Sequence, residues 1–182
     1  MNGGSFKPKV KRMFSGTSPY HRFDIARGQL ETAIKLFLID GADMFSAITL
    51  AGAAGAILHT LVLNEGKIPM VDHINDVGHQ KAPDAPRLGR AKVIKHVHEQ
   101  LSINYLKHFD EGDDPIIEFD AEESALAAIL KAMADYKTFT GELTTSMQAL
   151  LAWTVLNLDS AEIIEKYELA KKEGRVPEQL GS

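Results

Sequence analysis

Residues 27–40, RGQLETAIKLFLID, followed by Gly41-Ala42-Asp43 and then by MFSAITLAGAAGAILHTLVLN at 44–64, decide the fold. In the first segment Leu30, Ala33, Ile34, Phe37 and Leu38 recur at three- and four-residue spacing. That period lines one face of an α-helix and not of a strand. Gly41 suits the left-handed position that ends such a helix, and Asp43 suits the N-cap of the next. With so short a link, the two helices are expected to fold back as a hairpin. The second contains Ala51-Gly52-Ala53-Ala54-Gly55-Ala56, side chains small enough to admit another backbone. Each Gly costs a helix about 1 kcal/mol relative to Ala, so close packing is expected to offset the two. Phe37, Tyr105, Tyr136 or a second copy of the helix are candidates for what lies opposite.

Working outward, residues 88–109 continue the same period through Ile94, Val97 and Leu101. Asp120 with Glu123 forms a capping-box-like start for a helix reaching Phe139 and closed by Gly141. Thr144 or Thr145 opens another through Ala149, Leu150, Trp153 and Leu156, and Asp159 with Glu162 signals a last one ending near Gly174. No segment alternates like a strand for long, and no repeat is evident. The expected class is all-α, a bundle of five or six helices. Its organisation is a flexible basic tail over 1–23, one helical domain over 24–174 and a polar tail over 175–182. Residues 66–86, which carry Pro69, Gly78, Pro83 and Pro86 without clear periodicity, read as a long loop, either disordered or a lid.

With 182 residues, 45% of them hydrophobic and 25% charged, the chain can bury a full core without staples. It has no cysteine, which excludes disulfides, thiolate catalysis and cysteine-ligated metal, and this fits a cytoplasmic protein. The longest apolar stretch, 47–63, falls short of a spanning segment and carries His59, so it reads as a buried helix with no membrane role. A formal net charge of -5 argues against a large nucleic-acid footprint, although Lys7, Lys9, Lys11 and Arg12 make the N-terminal tail locally basic.

The best functional candidate is NYLKHFD at 104–110. Asn104 and His108 stand four residues apart and extend the apolar stripe of Ile94, Val97 and Leu101, so both are expected on the buried face. There they need hydrogen-bond partners, because an unsatisfied buried polar group costs about 1–3 kcal/mol. They would tie the helix to a neighbour, or His108 would act as general acid or base with Asn104 orienting a substrate and Lys107 holding phosphate.

This Asn and His pattern near a helix end resembles the HEPN superfamily (higher eukaryote and prokaryote nucleotide-binding domains), as does the pattern of residues 47–54 with a group of bacterial helical proteins. The resemblance covers mainly 27–64 and 88–139. It implies a compact bundle, and many family members are metal-independent ribonucleases or toxin components. Their motif places Arg five positions before the His, and here that position is Ile103. An apolar side chain cannot stabilise charge on a scissile phosphate. The resemblance therefore implies a non-catalytic HEPN-like protein, homodimeric and binding a protein partner or small ligand, ahead of a ribonuclease using His108. No cofactor is implied.

A third reading joins His59 and His108 with Glu31 or Glu123 in a bundle metal site. No paired Glu-x-x-His motif supports it, and a satisfied core histidine is the commoner outcome. Asp110, Glu111, Asp113 and Asp114 lack the alternation of a calcium loop and read as a solvated turn. His96 and His98 read as exposed.

Overall fold

The computed structural model describes residues 17–159 except 42, 82–88 and 109, together with individual positions from 161 to 172. The described residues form an all-α protein with no strand: α1 (Arg22–Lys35), α2 (Met44–Asn64), α3 (Met70–Lys81), α4 (Arg90–Gln100), α5 (Ala121–Thr140) and α6 (Thr145–Asn157). A five-residue π turn, Leu36–Asp40, extends α1. Residues 1–16 and the tail at 175–182 lie outside the description, as does most of the helix expected after Asp159.

The expected hairpin forms as its capping residues dictate. Gly41, at φ 59°, donates its N–H to the Leu36 carbonyl, and the Asp43 carboxylate accepts from the Ser46 N–H at 2.9 Å. The long α2 then packs between α1 and α5, sealing Ala47, Ile48, Ala51, Ala54 and Leu58 in one core with Leu30, Ile34, Ile129 and Ala132. By length and composition alone α2 could cross a membrane, but here it is the central helix of the core. Asp120 caps α5 through the Glu123 N–H at 2.9 Å, and Gly141 closes that helix at φ 87°. α6 lies against α1, with Trp153 edge-on to Phe37.

Three expectations change. The first helix begins at Arg22, inside the presumed tail, because His21 Nδ1 accepts from the Phe23 N–H and Phe23 stacks on Tyr136 at 5.5 Å. Within the presumed loop 66–86, residues 70–81 are helical. Pro69 has no side-chain acceptor to cap α3, and the acceptor comes instead from α5: Asp135 Oδ1 takes the Met70 N–H at 2.7 Å. The helix expected to run to Phe109 stops at Gln100, and residues 101–107 form turns in which Ser102 adopts φ 56°.

The partner of the small-residue face is also different. Tyr105 is exposed, Phe37 packs on Trp153 and Tyr136 on Phe23. Gly52 faces Ile103, while Gly55 faces Lys131 and Ala132.

Candidate functional site

The break at Ser102 decides where the chemistry goes. A left-handed residue ends the helical register, so the 3.6-residue period no longer predicts which side chains after it face inward. Ile103 turns into the core at 1% exposure and presses on Gly52. Asn104 is half-buried and hydrogen-bonded to the His98 ring. Lys107 reaches back over α2, where its Nζ lies 3.4 Å from the place a β-carbon on Gly52 would occupy. His108 is exposed, so it does not share the buried stripe with Asn104. The stretch that looked like one site is divided: Asn104 and Lys107 turn toward α2 and α4, and His108 toward solvent.

A polar cluster assembles at that inner side around Lys131 and Asp135, two residues the sequence reading passed over. Lys131, one turn before Asp135 on α5, has a side chain only 10% exposed, and Asp135 is fully sealed. Their Nζ and Oδ2 lie 3.8 Å apart, close enough for strong attraction but longer than a hydrogen bond. Lys131 Nζ also lies 3.4 Å from the position of a β-carbon on Gly55. Gly52 and Gly55, one turn apart on α2, thus accommodate one lysine ammonium each. His59, the next residue on that side of α2, is half-buried, and its Nδ1 has no hydrogen-bond partner among the described residues. Asp135 Oδ2 likewise accepts no hydrogen bond.

The charges in this seam act on one another. Burial pulls the His98 pKa down to about 4, and Lys131 and Lys107 add to the cost of charging the ring, while the Asn104 hydrogen bond acts in the opposite direction. Burial also lowers His59, with Asp135 opposing. Both lysines are lowered by burial; for Lys131 the Asp135 carboxylate resists the shift and Lys107 adds to it. At neutral pH the two imidazoles of the cluster are therefore uncharged. Beside it, Arg90 clamps Asp72 through Nε and a terminal nitrogen at 2.9 and 2.6 Å, joining α4 to α3.

His98 was expected on the surface, and its inward position has a measurable consequence. The unfolded ring protonates near pH 6.5, whereas the folded ring resists protonation down to about 4. The unfolded state therefore binds the extra proton across that window. Stability from this residue is complete above the window and declines as pH falls through it. After discounting for the solvent-screened half of the ring, the loss by pH 5 is about 1 kcal/mol. Urea unfolding of the wild type and His98→Gln at pH 7 and pH 5 measures it, and the variant is expected to show the smaller pH difference.

Among the described residues no group of three or more His, Asp or Glu is placed to hold a metal ion. His59 belongs to the seam while His108 is exposed, so the constellation joining them does not form. No protein-family model matches the chain, and comparison with curated proteins and with solved structures finds no match.

Proposed function

We propose that this helical protein binds a small ligand at the seam of His59, His98, Lys107, Lys131 and Asp135, without itself catalysing a reaction. The observation that carries this reading is the concentration of incompletely partnered polar groups where α5 meets α2. The sealed Asp135 Oδ2 and the buried His59 Nδ1 lack hydrogen bonds, and Lys131 reaches its carboxylate only at 3.8 Å. A core adopted for stability alone would favour apolar residues here, because a buried ion pair is seldom more stable than a well-packed apolar substitute. Buried polar clusters are retained where they do chemistry or recognition.

The non-catalytic part of the proposal rests on Ile103. At the place where the HEPN motif carries Arg, this side chain is packed into the core and offers no charge to a phosphate. Catalysis by His108 is the weaker reading, since its presumed helper Asn104 is engaged with His98.

Thermal denaturation against a panel of small metabolites tests the proposal. A binder is expected to raise the melting temperature in the wild type, since a ligand that prefers the native state stabilises it by mass action. It should not do so in Lys131→Met. Binders that act equally on both proteins, or no binder across the panel, would count against the seam as a ligand site.

A further inference from the structure

The ligand-site reading leaves the chemistry of the ligand open, and the balance of charge in the seam narrows it. Two lysine ammonium groups lie against the glycine face of α2, one beside Gly52 and one beside Gly55. One carboxylate, Asp135, lies beside Lys131 and has a second task, since its Oδ1 holds the Met70 N–H at the start of α3. Lys131 takes the other oxygen. Among the described residues Lys107 has no carboxylate partner, and the cause that lowers its pKa is burial alone. Of the two lysines in the seam only Lys131 therefore has a carboxylate within 4 Å among the described residues, and both imidazoles are uncharged at neutral pH.

Resting on the proposed ligand site, we infer that the seam takes the oxyanion group of a small molecule, a carboxylate or phosphate, held by Lys107 with Lys131 as second cation. Three features of the seam favour an oxyanion over a cation or an apolar ligand. Gly52 and Gly55 let both lysine Nζ atoms lie close against one face of the helix, each 3.4 Å from where a β-carbon would be. An ammonium to oxyanion hydrogen bond is charge-assisted, about twice as strong as a neutral one. Lys131, Lys107, His59 and Asn104 all face His98, and of the charged groups among these both are cations. A cationic ligand would add to that repulsion, and an anion relieves it. The uncharged imidazoles contribute one donor and one acceptor each, so they suit a hydroxyl or carbonyl beside the anionic group. With one lysine lacking a carboxylate partner, a singly charged carboxylate matches the seam better than a phosphate dianion.

Titration of the full chain with sodium acetate and, separately, with inorganic phosphate tests the inference. Ionic strength is held constant with chloride, and the ring signals of His98 and His59 are followed by NMR. The expected result is a saturable shift with acetate that Lys107→Met weakens about tenfold or more, the loss of one charge-assisted hydrogen bond. Tighter saturation by phosphate would keep the oxyanion and assign it to a phosphate ester. Shifts that never saturate with either anion, or that Lys107→Met leaves unchanged, would overturn the inference. If the metabolite panel yields a neutral binder abolished by Lys131→Met while neither anion saturates, the ligand site stands and the oxyanion falls. Lys107 counts as exposed as a whole residue and is no part of the hydrophobic core, so the unfolding curve of Lys107→Met serves as the control for the fold.

Discussion

Asp135→Ala is expected to lower the stability of the protein by about 3–5 kcal/mol, seen as a large fall in the urea midpoint at unchanged slope. Two losses contribute, and their magnitudes separate them. Removing the acceptor that caps α3 costs about 1 kcal/mol, the usual value for an N-cap. Removing the carboxylate leaves the Lys131 ammonium buried without a counter-charge, and this is the larger effect. It has an upper bound, because the amine can discharge its proton. Taking a lysine from its ordinary pKa near 10.4 to the neutral form at pH 7 costs about 4.6 kcal/mol.

Asp135→Asn distinguishes the two terms. It retains an oxygen for the Met70 N–H and loses only the charge, so it should recover about 1 kcal/mol relative to Asp135→Ala and no more. The double variant Lys131→Met with Asp135→Asn removes both charges and keeps the cap. It should be more stable than Asp135→Asn alone, a sign of direct coupling between neighbours. Raising the pH gives a further check. In Asp135→Ala the folded amine gives up its proton well before the unfolded one does, so the deficit relative to the wild type narrows between pH 7 and pH 10. If Asp135→Asn behaves like the wild type, the charge at Lys131 does not act as described.

The same residue explains why the sequence conveyed one half of the molecule and not the other. The hairpin of α1 and α2, and the whole of α5, carry their own stop and start signals within a few residues: Gly41 and Asp43, Asp120 and Gly141. Local chemistry sufficed, and these elements are where their caps place them. α3 has its cap 65 residues away in Asp135, and no local pattern encodes a tertiary acceptor. The functional stretch failed for a related reason. Extending a helical period through 101–107 assigned Asn104 and His108 to one face, but Ser102 is a left-handed non-glycine residue that the sequence did not announce. The break turned His108 outward and left His98 inward. One signal for the seam was present and unread. Lys131 and Asp135 stand four apart among Ala128, Ile129, Ala132 and Tyr136, and two opposite charges within the apolar run of a core helix predict a buried pair.

Gly52 carries the second large effect, because it fixes where the broken segment lies. A β-carbon there would sit 2.7 Å from Cγ2 of Ile103, and that methyl cannot withdraw. It is attached to a β-branched stem, the residue is 1% exposed, and the preceding Ser102 is held at φ 56°. Gly52→Val should therefore destabilise the fold by about 2–3 kcal/mol through overpacking, since a β-branched residue recovers only a few tenths of the helix propensity lost at Gly. Gly55→Ala should behave in the opposite way. Its β-carbon would meet Lys131 Nζ at 3.4 Å and Ala132 Cβ at 3.6 Å, ordinary contacts, one of them at the end of a flexible chain. There the gain in helix propensity, up to about 1 kcal/mol, prevails and the variant is neutral or more stable. Adding Ile103→Ala to Gly52→Val should give less than the sum of the two losses, because the valine fills the space that the isoleucine vacates. Equal destabilisation by Gly52→Val and Gly55→Ala in urea unfolding would contradict this packing. Because Ile103 and Lys107 belong to one run of turns, displacing the first also shifts the second, and Gly52→Val should weaken anion binding in whatever fraction still folds.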